Sequence, residues 1–229
     1  RVQQSMRFPR GPITTVLWKD LILELRTRDV ILPVVVFAYL VIVVFNFAIE
    51  PRPALVIAVA PGVLWLAFTF ASTLALSRTF ALEKETGSIE GLLMAPVDPD
   101  KLYLAKLLGN VTFLLVVEAL TLPLFSALFN LPLFLPQLWL LMILSTFGLA
   151  AVGTVFSAMA FNTHAREILL PVLFFPIIVP VIIAAVEATG AILQGEPWSV
   201  YGRWLGLTAA FDAIYLVIGA VTFGYVLKQ

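Results

Sequence analysis

Two acidic residues stand inside long hydrophobic stretches of this 229-residue chain. Glu118 is the twelfth of 23 residues in the stretch 107–129, and Asp212 lies in the stretch 205–227. An ionised carboxylate at the centre of a bilayer costs about 2.5–3.5 kcal/mol on insertion scales. Each acid must therefore be protonated, hydrogen-bonded within the protein or exposed to a wet cavity. Two interpretations stay open for both: a substrate path or proton relay, and a satisfied structural polar group.

Most other catalytic chemistry is excluded by residues that the sequence lacks. The chain has no cysteine, which excludes disulfides, thiolate metal sites and cysteine nucleophiles. His164 is the only histidine, so one copy cannot build a two-histidine metal or haem site, and we interpret it as a solvated loop residue. The motifs G-x-x-x-x-G-K-[ST], H-E-x-x-H and G-x-S-x-G are absent. We therefore predict no nucleotide site and no enzyme, with an intramembrane Glu118–Asp212 pair as the one surviving catalytic alternative.

The only long polar segment between hydrophobic stretches is 77–106, which holds nine of the 28 charged residues. Charged side chains and irregular backbone are both costly in hydrocarbon, so this segment is expected to face water. Gly87 is a plausible helix break and Ser88 a cap for a short helix that follows. Pro96 is expected to end that helix.

The short helix carries one apolar stripe, defined by Ile89, Leu92 and Leu93 at i, i+3 and i+4. We interpret the stripe as a docking element for a partner protein. The alternative is an ordinary solvated loop with a local hydrophobic contact. A second helix is expected to start at once, with Asp98 as its N-cap and Pro99 at its first position.

The buried acids and the polar segment belong to a predominantly hydrophobic chain, whose helices must position them. Its apolar share is 61% and its mean hydropathy is +1.04, whereas soluble domains are about half apolar. Six stretches are long enough to cross a core of ~30 Å at ~1.5 Å per residue. They are 31–49, 54–76, 107–129, 138–161, 168–186 and 205–227. Because the links are short, we predict an all-α integral membrane protein with a single six-helix transmembrane domain over residues 1–229.

Lysine and arginine positions predict the orientation. If residues 1–30 are cytoplasmic, the inner segments hold 12 of the 14 basic residues and the outer segments hold only Arg52 and Arg203. This positive-inside bias places both termini in the cytoplasm. Residues 15–29 are expected to form an interfacial helix, or else a cytoplasmic extension of the first span. The net charge of zero indicates no attraction to nucleic acid.

Two stretches have local features that bear on packing. The fifth is expected to kink or break at its prolines, and residues 184–204 could dip back as a re-entrant or interfacial element. These prolines are Pro171, Pro176 and Pro180. The fourth stretch has small residues that allow close helix contact, Gly148, Gly153 and Ser157.

The polar segment resembles the loop between the second and third helices of ABC-2 type transporter permeases. In that loop an acidic, glycine-containing segment leads into L-L-x-x-P and a new helix, a pattern that runs here from Glu83 to Pro96. The flanks P-G-V-L-W at 61–65, R-T-F at 78–80 and A-R-E-I-L-L-P at 165–171 extend the match. With them the chain is similar, from about residue 16 to 227, to the CcmB family, the membrane subunit of the haem exporter in bacterial cytochrome c maturation.

The resemblance implies an ABC-type complex in the bacterial inner membrane. Two copies of the chain would form a homodimer with two CcmA-like cytoplasmic ATPase subunits, beside a CcmC-like haem-handling membrane protein and a small CcmD-like subunit. The partner ATPase would bind ATP, and haem would be handled mainly by the membrane partner, so this chain is expected to hold no cofactor or metal. In the family, ATP hydrolysis helps to release the haem-loaded chaperone CcmE on the periplasmic side.

The resemblance also implies an ATPase-coupling role for a set of residues in the polar segment. These are Glu83, Glu85, Gly87, Ser88, Ile89, Glu90, Leu92, Leu93 and Pro96. Three other functions stay open: another ABC-2 permease that exports a drug, lipid or polysaccharide, a proton-coupled carrier that uses Glu118, and a scaffold that only recruits partners.

Overall fold

The structure is a computed structural model that describes residues 30–50, 52–85, 98–132, 134–161 and 166–226. These residues form six helices and no strand. The helices are α1 (Ile31–Ala48), α2 (Pro53–Glu85), α3 (Pro99–Phe129), α4 (Pro136–Phe161), α5 (Arg166–Leu193) and α6 (Trp198–Val226). All six are long and apolar enough to cross a membrane. The predicted fold class, an all-α membrane protein with six spanning helices, is confirmed.

Two helices extend well past the hydrophobic stretches on either side of the polar segment. α2 continues to Glu85, beyond the expected end of its span at residue 76. α3 begins at Pro99, with Asp98 in extended conformation as its N-cap, as the sequence predicts. The carboxylate of Asp98 accepts a hydrogen bond from Nζ of Lys101 at 2.5 Å and makes no bond to a backbone N–H of the first turn.

α5 is one continuous helix, so the expected break at its prolines is wrong. Pro171, Pro176 and Pro180 all lie inside its 28 residues. A proline removes one backbone hydrogen bond, but long membrane helices tolerate this loss because neighbouring groups and local adjustments compensate.

The re-entrant path considered for residues 184–204 is also absent. Residues up to Leu193 complete α5, and α6 begins at Trp198. Gly195 has a φ of +73°, its N–H bonds to the carbonyl of Ile192 at 3.0 Å, and the N–H of Glu196 bonds to the carbonyl of Ala191 at 3.0 Å. This pair of bonds is the Schellman motif, which ends a helix at a left-handed glycine.

α4 is the central helix of the bundle. It contacts α2, α3, α5 and α6, which also contact one another in a ring around it, and α1 packs outside this ring against α2 and α3. In the most apolar window of α4, 72% of the residues are buried, compared with 17% in α1. Polar side chains on the inner part of α4 therefore bond to other groups of the protein, as Thr146, Thr154 and Ser157 do.

Small residues on α4 allow this close packing, as the sequence predicts. The side chain of Leu76 occupies the space beside Gly153, where a methyl group would overlap it. Ser157 donates a hydrogen bond from Oγ to the carbonyl oxygen of Leu76 at 2.7 Å. α2 and α4 are therefore in contact through backbone and small side chains at this level.

The apolar core is divided along the length of the bundle. One cluster includes Leu131 and Ile192, and Ile49 packs against it; these residues lie in or beside the connections 49–52, 130–135 and 194–197. We call this the hairpin end. A second cluster, with Val30, Leu102 and Phe223 among its members, lies toward the opposite end.

Candidate functional site

The predicted ATPase-coupling residues lie at the end of α2 and beyond it. Glu83 and Glu85 belong to the last turns of α2, whose backbone alone is described there. The other members of the set lie outside the described residues: Gly87, Ser88, Ile89, Glu90, Leu92, Leu93 and Pro96. His164 and the expected interfacial helix at 15–29 lie outside them too. Their roles stay predictions.

Glu118 is buried on α3 and bonded to α4. Its side chain is 2% exposed, and its Oε1 accepts a hydrogen bond from Oγ1 of Thr146 at 2.6 Å. Thr121, one turn further along α3, donates to the carbonyl oxygen of Glu118 at 3.0 Å. Oε2 has no hydrogen-bond partner among the described residues. One oxygen of this carboxyl group therefore fixes α3 to α4.

Asp212 is buried on α6 and lies directly against Gly148 of α4. A Cβ atom at position 148 would fall 2.5 Å from Oδ1 of Asp212 and 3.5 Å from the side chains of Phe211 and Val181. Only a glycine leaves room for the carboxyl group at this distance. Neither oxygen of Asp212, which is 6% exposed, has a hydrogen-bond partner within the part of the chain that the structure describes.

The two acids lie on different sides of α4. Thr146, which bonds Glu118, and Gly148, which contacts Asp212, are two residues apart and so point in directions about 200° apart on a helix with ~100° per residue. The two carboxyl groups therefore have α4 between them. The intramembrane carboxylate pair, which was the surviving catalytic alternative, is wrong for this geometry.

Further polar contacts join α3 to α4 and α6. Nδ2 of Asn110 donates to Oγ1 of Thr154 at 2.8 Å. The hydroxyl of Tyr103 donates to the carbonyl of Ala151 at 3.2 Å, and its ring fills the space that a side chain at Gly219 would need. These contacts were not predicted. The available signal was the set of serines and threonines in the fourth stretch, at residues 145, 146, 154 and 157, all of which are buried.

A cavity of about 550 Å³ opens at the hairpin end between α1, α2 and α3. Most of its lining residues are apolar, and they are Asn46, Phe47, Ile49, Pro53, Val56, Ile57 and residues 128–131. At its wall, Nδ2 of Asn46 donates to the carbonyl of Leu128 at 2.9 Å. Among the described residues no group of three or more His, Cys, Asp or Glu side chains could hold a metal ion, here or elsewhere.

Comparisons with known proteins agree with this architecture. The family model described as "CcmB protein" matches residues 12–229. The "Heme exporter protein B" of Pseudomonas aeruginosa is 33% identical over 186 residues, which cover 81% of this chain and 83% of that protein. Those of Bradyrhizobium diazoefficiens and Rhodobacter capsulatus are 29% identical over 208 residues (90% and 93% covered) and 32% identical over 182 residues (78% and 83% covered). With a family match over nearly its whole length and six helices that could span a membrane, this chain belongs to the CcmB family.

Proposed function

We propose that this chain is the membrane subunit of a haem exporter complex that acts in cytochrome c maturation in the bacterial inner membrane. The observation that carries the proposal is the family match over residues 12–229, together with curated relatives named for haem export. The name that these relatives carry favours a haem-related role for this chain over the export of a drug, lipid or polysaccharide. The six apolar helices suit a multi-pass subunit.

In this proposal the energy comes from a separate ATPase. The chain has no phosphate-binding loop, so ATP would be bound and hydrolysed by two CcmA-like subunits in the cytoplasm. The distribution of basic residues, 12 on one side against Arg52 and Arg203 on the other, supports cytoplasmic termini and a cytoplasmic segment 77–106. The coupling residues would then face the ATPase.

The coupling segment joins two helices that both contact α4. α2 ends at Glu85 and α3 begins at Pro99, so a movement of the residues between them acts on both helices at once. Closure of the ATPase subunits would push the stripe of Ile89, Leu92 and Leu93, and the shift would pass through α2 and α3 to the hairpin end. The nearby acids Glu83, Glu85 and Glu90 would pair with basic residues on the ATPase and fix its register more than its affinity.

Haem itself would be handled mainly by a CcmC-like membrane partner, with a CcmD-like small subunit beside it. The single histidine of the chain supports this division of labour, because two axial histidines cannot come from one copy. A homodimer of this chain would face the two ATPase subunits. ATP hydrolysis would then drive release of the haem-loaded chaperone on the periplasmic side.

The coupling role is tested by Leu92→Asp in the full complex. A charge on the stripe should leave membrane insertion intact and reduce the amount of ATPase that co-purifies with the chain by at least about tenfold, roughly 1.4 kcal/mol. Met94→Asp is the matched control, since residue 94 would lie about 200° from residue 92 on the short helix that the sequence predicts. Normal ATPase recovery with Leu92→Asp, or equal loss with both variants, would contradict the docking stripe.

The haem-related role is tested in cells. Removal of this chain should abolish covalent haem attachment to c-type cytochromes, measured by haem staining of membrane proteins after denaturation, and a plasmid copy should restore it. A strain that keeps normal haem-stained cytochromes without the chain would favour an unrelated export substrate.

A further inference from the structure

We propose that the cavity at the hairpin end holds one acyl chain of a zwitterionic phospholipid with a primary amine, whose headgroup binds between Arg52 and Glu50. The site is separate from the coupling segment, and nothing in the proposed haem-related role requires it. Two features carry the proposal: an apolar cavity with its mouth toward the bilayer, and an exposed ion pair at the rim of that cavity.

The cavity has a buried floor and an exposed mouth. Phe129 and Leu131 lie at the floor, where they are only 5% and 8% exposed. Phe47 and Pro53 lie at the mouth, since both are exposed, the former at 85%. α1, which carries Phe47, packs outside the ring of helices. In a membrane the mouth therefore faces lipid rather than another described helix of this chain.

The cavity lies at the boundary between hydrocarbon and headgroups. The 18 residues of α1 extend about 27 Å at ~1.5 Å per residue, which nearly matches a hydrocarbon core of ~30 Å. Phe47 lies in the last turn of α1, and Ile49 and Glu50 follow the end of that helix. α2 then begins at Pro53. The helical part of the lining is thus at the depth of acyl chains, and residues 49–53 are at the depth of lipid headgroups.

The size and the lining of the cavity suit an acyl chain better than water or haem. Its volume of about 550 Å³ lies within the ~300–1,000 Å³ of small-molecule sites. A buried water needs about two to four polar partners, whereas the polar lining side chains are two amides, Asn46 and Asn130. The first of these already donates to the carbonyl of Leu128. No histidine or charged residue is among the described lining residues, so a haem would find neither an iron ligand nor a counter-ion for its carboxylates there.

Two exposed charged residues form the rim. Glu50 directly follows the lining residue Ile49, and the next lining residue, Pro53, directly follows Arg52 in the sequence. The N–H of Arg52 bonds to the carbonyl oxygen of Glu50 at 2.7 Å, and Nη2 of Arg52 contacts Oε2 of Glu50. The two side chains are 69% and 59% exposed. Ion pairs with this exposure contribute little to stability, so a ligand can separate the two groups at low cost.

A zwitterionic headgroup complements this ion pair. The guanidinium group of Arg52 has five N–H donors in a fork that fits a phosphate. The carboxylate of Glu50 can accept charge-assisted hydrogen bonds from a primary ammonium group. The acyl chain alone gives little preference, because the bilayer is as apolar as the cavity. The headgroup contacts therefore select the lipid, and they favour phosphatidylethanolamine over phosphatidylglycerol, which has a phosphate but no amine.

Native mass spectrometry of the full chain in detergent, with each of these two lipids added, tests the site. One phosphatidylethanolamine should bind per chain, about tenfold more tightly than phosphatidylglycerol, which is the effect of one charge-assisted contact. Arg52→Gln should weaken the binding of both lipids by about tenfold. Glu50→Gln should weaken phosphatidylethanolamine alone and make the two affinities equal. Arg203→Gln is the matched control and should change neither affinity, since Arg203 is an exposed basic residue on α6, away from the cavity lining.

Val56→Trp tests the cavity itself. Its indole ring would occupy the space of the acyl chain, so binding of both lipids should fall by at least about tenfold, whereas Leu55→Trp, beside it but outside the lining, should keep them. Unchanged binding in Arg52→Gln or in Val56→Trp, or equal affinities of the two lipids for the unmodified chain, would overturn the proposal. So would a bound haem that Val56→Trp removes. The rim variants alter only exposed side chains, so they decide the question even if Val56→Trp fails to fold.

Discussion

α4 contacts a buried acid of α3 on one side and a buried acid of α6 on another, and the two acids have different surroundings. On the α3 side, Glu118 accepts a hydrogen bond from Thr146, and Asn110 and Thr154 form a second bond nearby. On the α6 side, Asp212 packs against a glycine without any bond to a described residue. The first contact depends on direction-specific hydrogen bonds, and the second depends on close packing. Separating α4 from α3 therefore loses direct bonds, whereas separating α4 from α6 loses mainly packing.

The largest effect that distinguishes the two contacts is expected for Gly148→Val. The new side chain would overlap the Asp212 carboxyl and meet Phe211 and Val181, so we expect a loss of about 3 kcal/mol in the free energy of unfolding. Denaturation in mixed micelles, followed by tryptophan fluorescence, measures this loss.

Gly206→Val is the matched control for that experiment. Gly206 lies on α6, the helix that carries Asp212, but no atom lies within 4 Å of the position that a Cβ atom would take there. We expect its substitution to change the free energy of unfolding by less than about 1 kcal/mol. Equal losses for the two variants would show that the α4–α6 contact is not closely packed at residue 148.

An intermediate effect is expected for Thr146→Val. The substitution keeps the side-chain volume but leaves Oε1 of Glu118 without its donor, and an unsatisfied buried acceptor costs about 1–2 kcal/mol. Adding Glu118→Met should recover most of this loss, because removing both partners leaves no orphaned polar group. Unfolding of the single and double variants in the same micelles checks both statements. No loss in the single variant would mean that the bond contributes nothing to the α3–α4 contact.

The smallest effect is expected for Ser145→Ala, next to Thr146 on the same buried helix. No direct bond to a described residue is lost, so the free energy of unfolding should fall by less than about 1 kcal/mol. The same unfolding assay compares the two neighbours. A larger loss than that of Thr146→Val would reverse the contrast between the two sides of α4.

Sequence reasoning captured the parts of this fold that depend on local composition. Six hydrophobic runs predicted six helices, and Asp98 with Pro99 predicted the start of α3. The end of α5 was equally local, since Gly195 followed by Pro197 is typical of a helix C-terminus. The re-entrant path considered for residues 184–204 overlooks this local signal.

The partners of the buried acids were beyond local reasoning. Thr146 and Glu118 are 28 residues apart, on helices whose apolar residues cover all sides, so hydrophobic periodicity does not identify which face meets which neighbour. The place of Gly148 beside Asp212 likewise depends on how α4 and α6 pack. That both acids lie within apolar helices was therefore predictable, whereas the side of α4 that each one occupies was not.

The length of α2 has a mechanical consequence. Its 33 residues form a rod of about 50 Å, whereas the hydrocarbon core is only ~30 Å thick. Nε1 of Trp65, the thirteenth residue of this helix, donates a hydrogen bond to Oγ1 of Thr189 on α5 at 2.9 Å and holds α2 against its neighbour at that level. Pro61 lies inside α2, between Trp65 and the hairpin end. A displacement of the end near Glu85 would therefore travel along an uninterrupted helix to the level of Trp65, and Pro61, which removes a backbone hydrogen bond, is the point beyond it where α2 bends most easily.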